Sequence, residues 1–252
     1  MTGFPPDSPL IAKVVPSPNQ TDRAGRGRPD MIVLHYTGMT SADDALARLC
    51  SREAKVSSHY LVFEDGGIVQ MVPEARRASH AGVSSWEGET DINSRSIGIE
   101  IANPGHDYGY PDFPDAQIEA VIALCRDVLA RRPMRPDRVV AHSDVAPSRK
   151  QDPGEKFPWT RLHAAGIGHW VEPSPLGDDR GLARGDRGLA VAGLQSALAA
   201  YGYGIAASGA FDQTTSDVVV AFQRHFRPAR VDGIADRSAT ETLRRLLAAR
   251  SA

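Results

Sequence analysis

Cysteine is almost missing from this 252-residue chain, with only Cys50 and Cys125 present. Each falls in a stretch with helical apolar spacing, where a free cysteine acts as a small core residue. A disulfide framework is therefore not expected. A thiol nucleophile needs a lowered pKa in an electropositive setting such as a helix start, and Cys125 sits mid-helix on the apolar side. Aromatic residues are few, at 6 %. No apolar run approaches the ~20 residues of a membrane span. The first residues, MTGFPPDSPLIAKVVPSPNQ, lack the basic and apolar regions of a signal peptide. Neither sign of charge dominates: the net charge of −2 gives no reason to expect nucleic acid or an anionic membrane as partner. What remains is 41 % hydrophobic and 24 % charged, an ordinary globular composition. The length suits one medium domain plus a small one. A monomer without membrane insertion, working in the cytoplasm, is expected.

Periodicity organises the chain. Residues 1–27 are rich in Pro, Gly, Arg and Asp, show no period, and read as an extended arm. MIVLHYT follows as a strand in which Ile32, Leu34 and Tyr36 alternate with Val33, His35 and Thr37. Ser41 and Asp44 form a capping-box-like pair before a short helix. Two apolar runs flank Asp65-Gly66-Gly67, a hairpin signal. In RSIGIEIA, Ile97, Ile99 and Ile101 face one way, and Gly98, Glu100 and Ala102 the other. A carboxylate beside glycine on that second face is placed to enter a cleft. From Asp115 to Arg132, the apolar residues Ile118, Val121, Ile122, Cys125 and Leu129 recur at helical spacing. Asp115 is expected to cap this helix and Pro133 to stop it. RVVAHS is a short strand ending at His142. Helices alternating with strands and hairpins predict an α/β domain over 28–170, a mixed central sheet flanked by helices.

A stiff Pro/Gly linker is expected at 171–179. Beyond it, over 180–250, the chain repeats weakly: Leu194-Gln195 recurs as Phe222-Gln223, and GAFDQTT recurs as GIADRSAT. Asp212 and Asp236 each precede a helical stretch and can cap it. A small all-α bundle of about three helices follows.

His35, His142 and Asp152 offer two imidazoles and a carboxylate, a ligand set with which zinc keeps a fourth position open. Spacing alone does not establish this site. The chain has eight histidines, and any of them could be a surface or satisfied core residue.

The flanking words are more specific. LHYTG, VSSHYLV, HAG, NSRSIGIEIAN, AHSDVAP and RKQDPG occur in this order. Together they resemble the zinc-dependent N-acetylmuramoyl-L-alanine amidases of the type 2 amidase family, over about residues 28–170. That family shares its fold with peptidoglycan recognition proteins. The resemblance implies zinc ligands at His35, His142 and Asp152. It implies a catalytic carboxylate at Glu100, a cationic stabiliser at Lys150, and substrate-groove positions at Tyr36, His80 and Ala146. The implied substrate is peptidoglycan or its muropeptide fragments, cut between N-acetylmuramic acid and L-Ala. A non-catalytic recognition protein on the same fold is the alternative, but such modules typically lack one ligand. One departure concerns the arginine expected upstream of SIGIE to grip the stem-peptide carboxylate. Arg95 is too close and Asp91 stands near the expected place, so tolerance for both ordinary and anhydro muramyl ends is expected.

The tail words LQSALAAYGYG, GAFDQTT, VVVAFQRHF and VDGIADRSATETL resemble the small helical peptidoglycan-binding domain appended to wall hydrolases. Tyr201, Tyr203 and Phe211 could stack on sugars or belong to the core. Wall attachment would favour the periplasm over the cytoplasm. Removing residues 178–252 is expected to weaken wall binding and leave cleavage of small muropeptides intact.

Overall fold

The computed structural model describes residues 3–25 and 27–250. In chain order the elements are β1 (Lys13–Val14), β2 (Gln20–Asp22), β3 (Met31–Tyr36), α1 (Ala42–Leu49), β4 (Tyr60–Val62), β5 (Ile68–Gln70) and β6 (Arg76–Ala78). They continue with α2 (Ile92–Arg95), β7 (Ser96–Ile101), α3 (Asp115–Arg131), β8 (Val139–Ala141), α4 (His142–Val145) and α5 (Trp159–Ala164). The last three helices are α6 (Leu189–Tyr201), α7 (Gln213–Phe226) and α8 (Arg237–Arg250). No helix among the described residues is long and apolar enough to cross a membrane.

A six-stranded sheet runs in the order β1-β5-β4-β7-β3-β8. Only the β4–β5 pair, joined by the Asp65-Gly66-Gly67 turn, is antiparallel. The mixed sheet expected from the pattern is therefore mostly parallel. The N-terminal arm is not a separate extension: β1 pairs with β5 and β2 with β6. Asp7 further ties it down by accepting from Gln70 and from the Glu74 amide.

The central strands β7 and β3 carry Ile97, Ile99, Ile101, Ile32 and Leu34, all at 0 % exposure. α3 covers them with Ile118, Val121, Ile122, Cys125 and Val128, each full burial of such an aliphatic contributing about 1.5–3 kcal/mol. Cys125 lies in this core, and burial pushes its thiol up to about 12. Cys50 sits just past α1 rather than within it. Two caps differ in outcome. Ser41 Oγ accepts from Asp44 N at 3.1 Å as expected. Asp115 makes no cap bond and instead pairs with Arg161, because α3 begins at Asp115 itself, after Pro114.

In the bundle the weak repeat has a structural meaning. Gln195 and Gln223 are buried at 1 % and 0 % exposure. Each straps a glycine turn: Gln195 Oε1 accepts from Gly209 N and its amide donates to Ala210 O. Gln223 does the same with Gly233 N and Ile234 O. Asp212 and Asp236 cap α7 and α8 through Thr215 N and Ala239 N. Tyr201, Tyr203 and Phe211 are all buried, so they serve the core and the interface rather than an open sugar-stacking face. The segment expected as a stiff linker is pinned to α8 through Ser174, which bonds Thr242 and Ser238.

Candidate metal centre and catalytic cleft

The parallel strands β3, β7 and β8 bring the candidate residues to one end of the sheet. His35 lies near the carboxyl end of β3, Glu100 near that of β7, and His142 directly after β8. This is the end where open α/β sheets bind ligands. His35 and Glu100 are partners in register, so both side chains leave the same face. Ser143 N donates to Asp152 O at 3.0 Å, which folds the 142–152 loop back and returns Asp152 to His142.

His35 Nδ1, His142 Nδ1 and Asp152 Oδ2 converge. The two nitrogens are 2.9 Å apart, and Oδ2 lies 3.1 Å from His35 and 2.9 Å from His142. The outer hydrogen bonds fix which nitrogens carry protons. Ser96 Oγ donates to Ile92 O at 2.6 Å, so at its 3.2 Å contact with His80 Nε2 it must accept. His80 Nδ1 is then bare and accepts from His35 Nε2–H at 3.0 Å, leaving His35 Nδ1 bare. His142 Nε2–H donates to Ala81 O at 3.1 Å, so in the neutral ring Nδ1 is the bare nitrogen. With both imidazoles neutral, three lone-pair donors face one another. All three residues are buried. Burial, then the neighbouring His142, lowers His35 to about 4 and keeps it neutral. A divalent cation satisfies all three donors, and imidazoles anchored through their second nitrogen are the usual form of a metal site.

His80 is seated by two further residues. A Cβ on Gly98 would lie 2.6 Å from its ring, so only glycine leaves room for it. His59 lies behind, accepting from Gly98 N at 3.0 Å; burial, then Arg23, lowers it to about 3.

Glu100 lines the same cleft of about 380 Å³ as the three donor residues. Its Oε2 is buried and has no hydrogen-bond partner among the described residues. Burial and the Asp152 charge raise its pKa well above the usual carboxylate range, with Lys150 partly opposing them. Such a carboxyl holds a proton more readily than an exposed one, which suits a group that takes up and passes on a proton.

The chain from residue 25 to 155 matches the N-acetylmuramoyl-L-alanine amidase family. It belongs to that family. Residues 187–246 match the peptidoglycan binding domain family. The amidase is 39 % identical over 229 residues to the N-acetylmuramoyl-L-alanine amidase AmiD of Escherichia coli (strain K12), covering 85 % of this chain and 80 % of that one. It superposes with a TM-score of 0.75 on AmiD from E. coli in complex with the substrate anhydro-N-acetylmuramic acid-L-Ala-D-gamma-Glu-L-Lys, at 38 % identity, covering 91 % of this chain and 92 % of that one. It is also 35 % identical over 170 residues to the 1,6-anhydro-N-acetylmuramyl-L-alanine amidase AmpD of Enterobacter cloacae, covering 61 % of this chain and 89 % of that protein.

Of the groove positions expected for this amidase, Tyr36 and His80 line the cleft. Tyr36 is braced by its hydroxyl, which donates to His106 Nδ1 at 3.0 Å. Ala146 does not line the cleft; it is 4 % exposed and its carbonyl accepts from the Arg149 and Lys150 amides. Lys150 lines the cleft, and its charge acts on both His35 and Glu100. Arg95 and Asp91 lie elsewhere: Arg95 pairs with Asp30 and Glu89, and Asp91 caps α2. The cleft's other cations, Arg48 and Arg149, were missed by sequence reasoning. Arg149 adjoins Lys150 and could have been found there; Arg48, on an ordinary amphipathic helix, gave no signal.

Proposed function

We propose that this amidase is a zinc hydrolase that cuts the amide between the lactyl carbonyl of N-acetylmuramic acid, or of its anhydro form, and the amine of L-Ala in muropeptides. The observation that carries the reading is the convergence of three ligand atoms within 4.8 Å of one another beside a buried carboxylate oxygen that has no partner among the described residues. His35, His142 and Asp152 would hold the zinc. Zinc bound there supplies Lewis-acid polarisation of the scissile carbonyl and brings the pKa of a water at the site toward about 7. Glu100 Oε2 accepts the proton of the attacking water and delivers it to the departing L-Ala amine. Its raised pKa suits both halves of that transfer. Lys150 stabilises the negative charge that develops on the carbonyl oxygen. Tyr36 walls the cleft. Small soluble muropeptides as substrate fit the cytoplasm as the working compartment.

The test is mass spectrometry of muropeptides with ordinary and anhydro ends, incubated with the purified chain. Free stem peptide beginning at L-Ala, lost with a chelator and restored by zinc, is the expected result. An intact substrate in the presence of a stoichiometrically zinc-loaded protein would sink the proposal. Release from intact sacculi but not from soluble fragments would move the enzyme to the envelope.

A further inference from the structure

The C-terminal bundle reaches the segment that carries two of the three donor residues, and it does so at both ends. Asp144, at 0 % exposure, follows His142 by two residues. Its Oδ2 accepts from Ala141 N at 2.8 Å, which fixes the turn from β8 into α4 and so the direction of His142. Both of its oxygens are also taken by the bundle: His225 Nδ1 of α7 lies 2.6 Å from Oδ2, and Tyr203 OH donates to Oδ1 at 2.7 Å. Arg224, the neighbour of His225 on α7, reaches the other end. Its Nη2 donates to Gln151 Oε1 at 3.0 Å and its Nε to Glu155 Oε2 at 3.3 Å. Gln151 and Glu155 flank Asp152, and Glu155 in turn accepts from His106 Nε2 at 3.1 Å, behind Tyr36.

The contact is a buried interface. The Trp159 ring stacks on His225 with centroids 3.7 Å apart, and Trp86 packs edge-on against Tyr201 and Tyr203. Both tryptophans and both tyrosines are buried. An appendage that merely tethers an enzyme to a polymer has no need to satisfy a buried carboxylate beside the enzyme's metal loop.

We propose that the bundle is a positioning element of the metal centre: Tyr203, Arg224 and His225 lock residues 142–155 so that His142 and Asp152 stay at chelating distance. This inference rests on the reading of His35, His142 and Asp152 as zinc ligands. It reverses the expectation that the tail can be removed without effect on small substrates. None of the three bundle residues touches the donors; they act through Asp144, Gln151 and Glu155.

The experiment uses the full chain and zinc itself. The zinc dissociation constant is measured by competition with a colorimetric chelator, and the site geometry by the visible spectrum of the cobalt(II) form. Tyr203→Phe and His225→Phe each keep an aromatic ring at the interface and remove one partner of Asp144. Arg224→Met removes the grip on Gln151 and Glu155. Arg250→Ala is the control, since Arg250 pairs with Glu87 and Asp137 elsewhere in the same interface. Expected are zinc binding weakened by about tenfold or more in the Tyr203→Phe/His225→Phe double variant, as for other outer-sphere supports, and an altered cobalt spectrum. Arg250→Ala lowers thermal stability while zinc affinity and spectrum stay put. Tyr203→Phe alone, the mildest change, gives a smaller shift in the same direction. Folded variants that all bind zinc within about twofold of the parent, with its cobalt spectrum, overturn the proposal. A parent chain that takes up no zinc overturns the metal reading itself, and this inference with it.

Discussion

His80 Nδ1 lies 3.0 Å from His35 Nε2, and the contact works in one direction only. Ser96 Oγ commits its proton to Ile92 O and can only accept from His80 Nε2. The proton order is therefore set from the start of β7 outward, and it ends with a bare nitrogen at the centre of the site. His80 thus orients a metal ligand as well as lining the cleft.

His80→Phe keeps an aromatic ring at this position and removes the acceptor, freeing His35 to take the wrong tautomer. Zinc affinity should fall by about 10–100-fold. Gly98→Ala should do the same without altering a single polar group, since its Cβ would meet the His80 ring at 2.6 Å. Both are checked by chelator competition; unchanged affinity in both would mean that His35 is oriented by something other than His80.

Glu100→Gln separates chemistry from binding. Zinc stoichiometry should hold while turnover falls by about 10²–10⁴-fold, the usual loss for a general acid–base group. The same substitution should stabilise the metal-free protein. A carboxyl whose pKa is raised by folding holds its proton more tightly in the folded state, so stability is lost as pH rises above the ordinary value of 4.5. The melting temperature of metal-free Glu100→Gln should exceed that of the parent at pH 8 and match it at pH 4. Equal melting at pH 8 would contradict the burial of an uncompensated charge.

The parts of this site that were legible in the sequence share a physical origin. Period-two alternation put His35 and Glu100 on the non-core faces of their strands, and parallel pairing in register made them neighbours. The Gln195/Gln223 repeat was visible because each turn needs the same buried amide. What stayed hidden depends on contacts between segments far apart in the chain. The arm showed no period because β1 and β2 are only two and three residues long. The burial of Ala146 was equally hidden, since its carbonyl takes the Arg149 and Lys150 amides in a turn that no periodicity announces. Asp144 read as one more letter of AHSDVAP; its meaning comes from Tyr203 and His225, 59 and 81 residues later.

Lys150→Ala should reduce kcat by about 10²–10³-fold with little change in KM, because the charge it stabilises develops only in the transition state. Steady-state kinetics on a soluble muropeptide give the split. A raised KM at normal kcat would reassign Lys150 to holding a substrate carboxylate.

Glu74, which does not line the cleft, controls acid stability. Its side chain is fully buried and accepts from Arg131, Arg132 and Tyr60 at 2.7–2.8 Å. Burial alone would raise its pKa, but these bonds outweigh it and bring it down from 4.5 to about 2. A carboxyl depressed by folding contributes stability that is complete above its unfolded pKa and vanishes as pH falls through the folded one. The Glu74 contribution to the urea midpoint of the metal-free protein should therefore be intact down to pH 4.5 and vanish progressively toward pH 2, on top of the loss below pH 6.5 that the buried neutral His35 and His59 bring. Glu74→Gln leaves two arginines facing a neutral group and should cost about 3 kcal/mol at pH 7, while flattening that acid slope. The comparison is made without metal because acid also protonates the zinc ligands. A variant as stable as the parent at pH 7, with the same acid slope, would show that the arginines spend their hydrogen bonds on water and that Glu74 is held by packing alone.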